Sequence, residues 1–332
     1  MILPTNNIDD FIHARTCIRG QDLNADLYDQ QAFSSDNLFF RHGEAQMFIA
    51  LKNNIPVGRI AASRDHTTPA RGNFGFFECI NDVNIASALL NHAEQWLQNR
   101  HCDAMHGPLD LSVMRNYRMQ ISGFNKKAFH TEPRNPSYYP ELLRQSGFRE
   151  HHIWSSWDIS PSRFLTWRIF LCFKQKSFRH LTQQGYRIEP MDMQRMPDEL
   201  ARLHPLIMET FANNYGFVPI DFQEYLQIES ARPPSDALRV FFIKSPDGSD
   251  IGFFAGWLLG RLALLYIIGI KAEHRKKDLI PWMFCDVMKT MSKHGTRSAI
   301  GALVREGPSY YNRLGKATRT YAVFSKAIAS NV

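Results

Sequence analysis

The stretch 262–295, LALLYIIGIKAEHRKKDLIPWMFCDVMKTMSKHG, carries the pattern on which the reading of the fold turns. Leu262 to Ile270 is an unbroken apolar run of strand length, rich in β-branched residues. A basic connection follows, His274-Arg275-Lys276-Lys277-Asp278, and Leu279 to His294 then reads as a helix. Downstream, Ser298 to Val304 is a strand, a Pro-Ser-Tyr-Tyr helix (308–311) stops at Gly315, and Thr320 to Phe324 closes the series. Upstream, Val240–Lys244 and Ile251–Gly256 flank the turn Ser245-Pro246-Asp247-Gly248, which predicts a hairpin.

The first half repeats this order. Met47–Lys52 and Val57–Ala62 form a hairpin about Asn53-Asn54, and Phe74–Ile80 is the third strand. Asn81-Asp82 then caps a helix whose apolar positions 85, 86, 89, 90, 93, 96 and 97 follow the helical period. Asp103–Gly107 is a strand, Ser137–Gln145 a short helix containing a second Pro-Ser-Tyr-Tyr (136–139), and Ile153–Ile159 a closing strand. The repeat predicts two domains, 1–160 and 161–332, a size division that 332 residues support. The first copy carries an insertion near 108–135, of the kind loops absorb.

Composition narrows the class. A hydrophobic content of 44% with 12% aromatic residues supports a globular core, and no run of eighteen apolar residues predicts a spanning helix. The five cysteines are scattered without C-x-x-C spacing, which disfavours zinc or a disulfide framework and fits a reducing cytoplasm. The N-terminus has no basic segment followed by an apolar core, so no signal peptide is expected. A net charge of +7 suits a polyanionic or acidic partner, but no zinc-finger or RNA-recognition spacing points to nucleic acid. Residues 161–182 are basic and apolar, and fit either a peripheral membrane helix or a connecting helix packed between domains.

The element order resembles the GNAT superfamily of N-acyltransferases. Tyr311-Asn312-Arg313-Leu314-Gly315 looks like that superfamily's Tyr-x-x-x-Gly segment, and 274–278 stands where it places a pyrophosphate loop. Gly58-Arg59-Ile60-Ala61-Ala62, Gly75-Phe76-Phe77-Glu78-Cys79, His106-Gly107-Pro108, Asn135–Leu143 and Asn214–Pro219 resemble a narrower branch of bacterial double-domain acyltransferases that includes ceramide synthases. The resemblance implies an α/β (α+β) fold of two tandem GNAT-like domains, each a mixed, mostly antiparallel sheet flanked by helices. It also implies transfer of an acyl group from acyl-coenzyme A or an acyl carrier protein to a small amine or lipid-like acceptor, without a metal.

By the same resemblance, Tyr311 is the acid for the departing thiolate, with Tyr139 as its counterpart, while Ile268, Gly269, Ile270, His274, Arg275, Lys276, Lys277 and Leu279 face the donor. Asn214, Tyr215, Phe217, Arg115 and Tyr117 are assigned to the acceptor. Glu78, ending an apolar strand, is the base candidate. The loop departs from Gln/Arg-x-x-Gly-x-Gly/Ala in having no glycine, and Asp278 is expected to cap the helix with its own carboxylate, against a phosphate. An acyl carrier protein, being acidic, would suit the positive charge. The competing reading is a binding protein that keeps the scaffold and has lost catalysis.

Overall fold

The computed structural model describes residues 1–233, 235–275, 278–307, 311 and 316–329. The chain opens with β1 (Ile2–Thr5), α1 (Ile8–Arg19) and α2 (Leu23–Ala32). Both helices are capped by side chains, Asn7 accepting from the Asp9 amide and Asp22 from those of Asn24 and Ala25. β2 (Gly43–Lys52) turns into β3 (Ile55–Asp65) through Asn53-Asn54, both at positive φ, the two-residue turn that asparagine tolerates best. β4 (Arg71–Cys79) follows, then α3 (Val83–Gln98), β5 (Ala104–Gly107), β6 (Met119–Ser122), α4 (Tyr139–Gln145) and β7 (Arg149–Ile159).

The second half contains α5 (Pro161–Lys174), α6 (Arg179–Gln183), β8 (Arg187–Pro190), α7 (Met196–Thr210) and α8 (Phe222–Ser230). After them come β9 (Leu238–Lys244), β10 (Asp250–Leu259), β11 (Leu262–Ile270), α9 (Leu279–Lys293), β12 (Ser298–Arg305) and β13 (Arg319–Ala327). Among the described residues, no helix is long and apolar enough to cross a membrane.

Two compact units result, and they gather segments from either side of residue 160. Unit 1 consists of Met1–Ile153, Gly216–Arg232 and Thr320–Val332, so α8 and the terminal strand belong to it. Its sheet runs β1-β2-β3-β4-β5-β13, antiparallel except for the β4–β5 pair. Alternation along the strands splits the apolar side chains between two faces. Phe48, Ala50, Ile60 and Ala62 pack with Leu89, Leu90 and Ala93 of α3. Met47, Ile49 and Ala61 point the other way, onto Phe11, Ala14 and Ala32 of α1 and α2. Both faces are covered, which is why these strands read as continuous apolar runs.

Unit 2 consists of Trp154–Tyr215 and Pro233–Arg319, with the strand order β7-β12-β11-β10-β9-β8. It too is antiparallel except for one pair, β11–β12. Its core joins Phe241, Ile243, Phe254 and Leu265 to Trp282, Met283 and Met288 of α9 and to Phe164, Trp167 and Leu171 of α5. In each unit the one parallel pair is the pair bridged by a helix, α3 or α9, as a parallel connection requires.

Candidate functional site: two splayed strand pairs

The parallel pair of unit 2 separates partway along. β11 and β12 are in register from Leu262 with Ser298 to Leu265 with Gly301, and no further. Against β10, Ala255 opposes Ile267 and Gly256 opposes Leu265, so Tyr266 is an extra residue and β11 bulges there. A bulge bends its strand and ends pairing on one side. The edge of Ile268, Gly269 and Ile270 therefore has no ladder partner on the β12 side among the described residues.

At the end of this edge a single turn, Ala272–His274, leads to Arg275. The Arg275 guanidinium turns inward: Nε donates to the Ile270 carbonyl (3.0 Å) and Nη2 to that of Thr210 (3.4 Å). It braces the strand end with two of the donors assigned to a phosphate. His274 Nδ1 is buried and has no hydrogen-bond partner among the described residues. Lys276 and Lys277 lie outside the described residues. Asp278 occupies the N-cap of α9 in the left-handed conformation (φ 53°, ψ 22°) and makes no side-chain cap bond. The expectation that its carboxylate would cap the helix is thus corrected: in this backbone region the carboxylate does not return over the first turn, and Leu279 begins α9 without a side-chain cap.

Tyr311, the acid candidate, lies over β12. Its ring stacks on Trp157 (5.7 Å between centroids, 21° between planes). The close approach needs Gly301, where a Cβ would stand 2.4 Å from Tyr311 Cε1. Burial pushes the phenol upward from its ordinary value, so it keeps its proton.

Unit 1 has the same splay and has filled it. β4 pairs with β5 from Arg71 with Ala104 to Asn73 with His106, and its bulge brings Phe76 to φ 51°. Beyond that point the chain after Gly107-Pro108 lies along the β4 edge. The Leu109 amide donates to the Phe74 carbonyl (2.7 Å), and the Phe76 amide donates to Asp110 Oδ1 (2.7 Å). Gly75 makes room for this, since a Cβ there would meet the Leu109 carbonyl oxygen at 2.4 Å. Further along, the Cys79 amide donates to the Tyr139 hydroxyl and the Tyr138 hydroxyl to the Cys79 carbonyl, both at 2.9 Å. Above them Asp82 caps α3, accepting from the amides of Asn84 (3.0 Å) and Ile85 (3.4 Å).

Two residues singled out in the sequence meet here. The Tyr139 hydroxyl donates to Glu78 Oε2 at 2.5 Å, and Arg19 Nη1 reaches the same oxygen at 3.2 Å. Burial, then the Glu78 charge and hydrogen bond, push the Tyr139 phenol well above its ordinary value. Cys79 is buried and its thiol is raised to about 12, first by burial and then by the charges of Asp82 and Glu78, so it does not supply a thiolate.

No family model matches the chain. It is similar to the bacterial ceramide synthase of Caulobacter vibrioides, 23% identical over 269 residues that cover 79% of this chain and 67% of that protein. It is also similar to protein YghO of Escherichia coli, 25% identical over 216 residues, covering 64% of this chain and 54% of that one. The chain thus spans about half the length of the second relative. Among solved structures, a tandem GNAT protein from the clavulanic acid biosynthesis pathway superposes with a TM-score of 0.58 at 10% identity, covering 100% of this chain and 99% of that one. A conserved protein of Enterococcus faecalis gives 0.60 at 8% identity, covering 99% and 72%. The fold is the GNAT fold.

Within that GNAT frame the residues assigned to the acceptor come from segments of both units. Asn214 and Tyr215 follow α7 in unit 2, with the Asn214 amide closing a turn onto Phe211 (2.8 Å). Phe217 belongs to unit 1, as do Arg115 and Tyr117. Arg115 Nη2 donates to Asn37 Oδ1 at 3.2 Å, and Tyr117 lies under the Arg118 guanidinium at 3.9 Å. The sequence reading missed Asp110 and Tyr28. Tyr28 donates to Asp110 Oδ2 (3.2 Å) and accepts from the Asn116 amide (3.1 Å). Burial pushes the Asp110 carboxyl up to about 7. A lone Asp after Gly-Pro carries no local signal of burial; only the return of its loop onto β4 creates it. Among the described residues, no group of three His, Cys, Asp or Glu side chains could hold a metal.

Proposed function

We propose that this protein is an N-acyltransferase that takes an acyl thioester along the unpaired β11 edge of unit 2 and passes the acyl group to an amine. The observation that carries the proposal is the contrast between two copies of one splay. In unit 1, the groups a pantetheine arm would need on β4 are bonded to Leu109, Asp110, Tyr138 and Tyr139, and the helix behind is capped by Asp82. In unit 2, the β11 edge beyond Leu265 is unpaired among the described residues and Asp278 leaves α9 without a side-chain cap. Amide groups of the arm would extend the β11 ladder past Ile268–Ile270, and a phosphate would approach the α9 N-terminus and the unsatisfied His274 Nδ1.

In this reading the amine nitrogen attacks the thioester carbonyl. The C–N bond forms, the C–S bond breaks, the ammonium proton leaves to a base or to water, and the Tyr311 hydroxyl protonates the thiolate. Arg275 acts by holding Ile270 in place, and Lys276 and Lys277 supply positive charge to the donor. The donor is acyl-coenzyme A or an acyl carrier protein, and the net charge of +7 favours the acidic carrier. The acceptor is a small or lipid-like amine, as the similarity to a ceramide synthase suggests. The sequence repeat is read as two GNAT-like copies, 1–160 and 161–332, of which the second keeps the donor site and the first, with Glu78 and Tyr139 locked together, serves as scaffold.

Thiol release from acyl-coenzyme A and acyl carrier protein, measured with a panel of primary amines, tests the proposal. Turnover that falls in Tyr311→Phe, which removes the proposed acid, and persists in Glu78→Gln supports it. Absence of turnover with every donor favours the scaffold-only binding protein instead.

A further inference from the structure

The segment that the sequence left open between a buried connector and a membrane helix has a second apolar face. In α5, Phe164, Trp167 and Leu171 are buried in the unit 2 core. Leu165, Ile169 and Phe173, spaced four apart on the opposite side, are 45%, 47% and 80% exposed, and the adjacent Phe170 is 44% exposed. A helix in water normally puts charge on that side. Here the charge lies at the borders of the stripe: Arg163 and Lys174 flank it on one side and Arg168 on the other, by helical position. Lys176 and Arg179 continue the positive charge into α6. From Ile159 to Ile188 the chain has six Lys or Arg residues and no Asp or Glu. Among the described residues, Arg168, Lys174, Lys176 and Arg179 form no ion pair.

We propose that this face of α5 and α6 docks on an anionic lipid surface. With fourteen residues and a length of about 21 Å, α5 is too short to span a bilayer but long enough to lie in the interface. Leu165, Ile169, Phe170 and Phe173 enter the acyl boundary, while the flanking basic groups meet headgroup phosphates. A second copy of the chain is a poor occupant, because identical basic borders would face each other. A lipid surface supplies both an apolar layer and a dense negative charge. The proposal stands apart from acyl transfer, since vesicle binding is read without substrate.

The experiment is co-sedimentation of the full chain with vesicles of phosphatidylcholine and phosphatidylglycerol in equal parts, beside vesicles of phosphatidylcholine alone. The wild type is expected to sediment with the anionic vesicles and to be released by salt. Lys174→Gln/Lys176→Gln/Arg179→Gln should weaken binding about a hundredfold, each basic group near an anionic surface contributing about fivefold. Ile169→Ser/Phe173→Ser should weaken it by more than about tenfold through lost apolar burial. Both changes are at exposed positions, and unchanged melting curves would show the variants folded. A wild type that stays in the supernatant, or variants that sediment as the wild type does, overturns the proposal. So does a patch that binds purified acyl carrier protein and ignores vesicles.

Discussion

Removing one hydroxyl from each Pro-Ser-Tyr-Tyr tyrosine separates their roles. In Tyr139→Phe the ring is kept, with its edge-to-face contact to Phe77 (5.2 Å, 73°). What is lost is polar: the buried Cys79 amide loses its acceptor and Glu78 loses a donor. An unsatisfied buried amide costs about 1–3 kcal/mol. Glu78 keeps Arg19 at 3.2 Å, so its loss adds only about 0.5–1.5 kcal/mol. Tyr139→Phe should therefore destabilise the protein by about 2–4 kcal/mol, a fall in Tm of roughly 5–15 °C, while kcat of the folded enzyme changes little. In Tyr311→Phe the stack on Trp157 remains, so the stability cost should stay within that of one hydrogen bond, about 0.5–1.5 kcal/mol, while kcat drops about 10²–10⁴-fold. Urea melts and initial rates of thiol release on the same preparations measure both. Loss of kcat in Tyr139→Phe at unchanged stability, or full kcat in Tyr311→Phe, would refute the assignment of chemistry to unit 2.

Asp278→Asn keeps a residue that tolerates the left-handed backbone and removes a negative charge from the start of α9. KM for acyl-coenzyme A should fall about two- to fivefold, and an unchanged or raised KM would count against a phosphate there. Asp29 and Arg59 are both buried and paired at 2.6 Å. Asp29→Asn should lower stability by about 3–5 kcal/mol in urea unfolding, with a loss below about 1 kcal/mol contradicting the pairing. His42 bridges Asp65 Oδ2 (3.1 Å) and Glu224 Oε2 (2.7 Å). Burial pulls its pKa down, but the bond and charge of Glu224 and then the charge of Asp65 outweigh burial and raise it. A folded pKa above the unfolded one gives stability that is complete below about pH 6.5 and lost as pH rises through the folded value. The stability gap between wild type and His42→Ala should thus be wider near about pH 6 than near about pH 8.5. A gap independent of pH would show that the bridge does not depend on the imidazolium.

Much of this was legible because it is local. The Asn53-Asn54 turn, the Asp82 cap and the buried stripe Ala86, Leu89, Leu90, Ala93 and Leu97 each depend on residues a few positions apart. The apolar runs of β4 and β11 announced strands. The polar opening of the chain hid α1 and α2, whose fully buried apolar residues are few, Phe11 and Ala14 in α1 and Ala32 in α2.

The sequence by itself determined the order of the central elements, β2 to β5 and β9 to β12, since those follow from periodicity and turn chemistry. Tertiary structure decided what lines each of the two splayed strand pairs. The closing strands join sheets by long-range pairing, β13 to β5 and β7 to β12, which no local preference encodes. The Gly107-Pro108-Leu109-Asp110 segment became a plug only by lying against β4, and Tyr139 met Glu78 only when α4 packed beside that strand. Asp82 and Asp278 look alike as helix-start aspartates, yet an extended backbone at the first aims its carboxylate at the helix amides and a left-handed backbone at the second does not. That difference in φ distinguishes the filled copy from the open one, and φ at a non-glycine residue is imposed by the surrounding fold rather than written in its side chain.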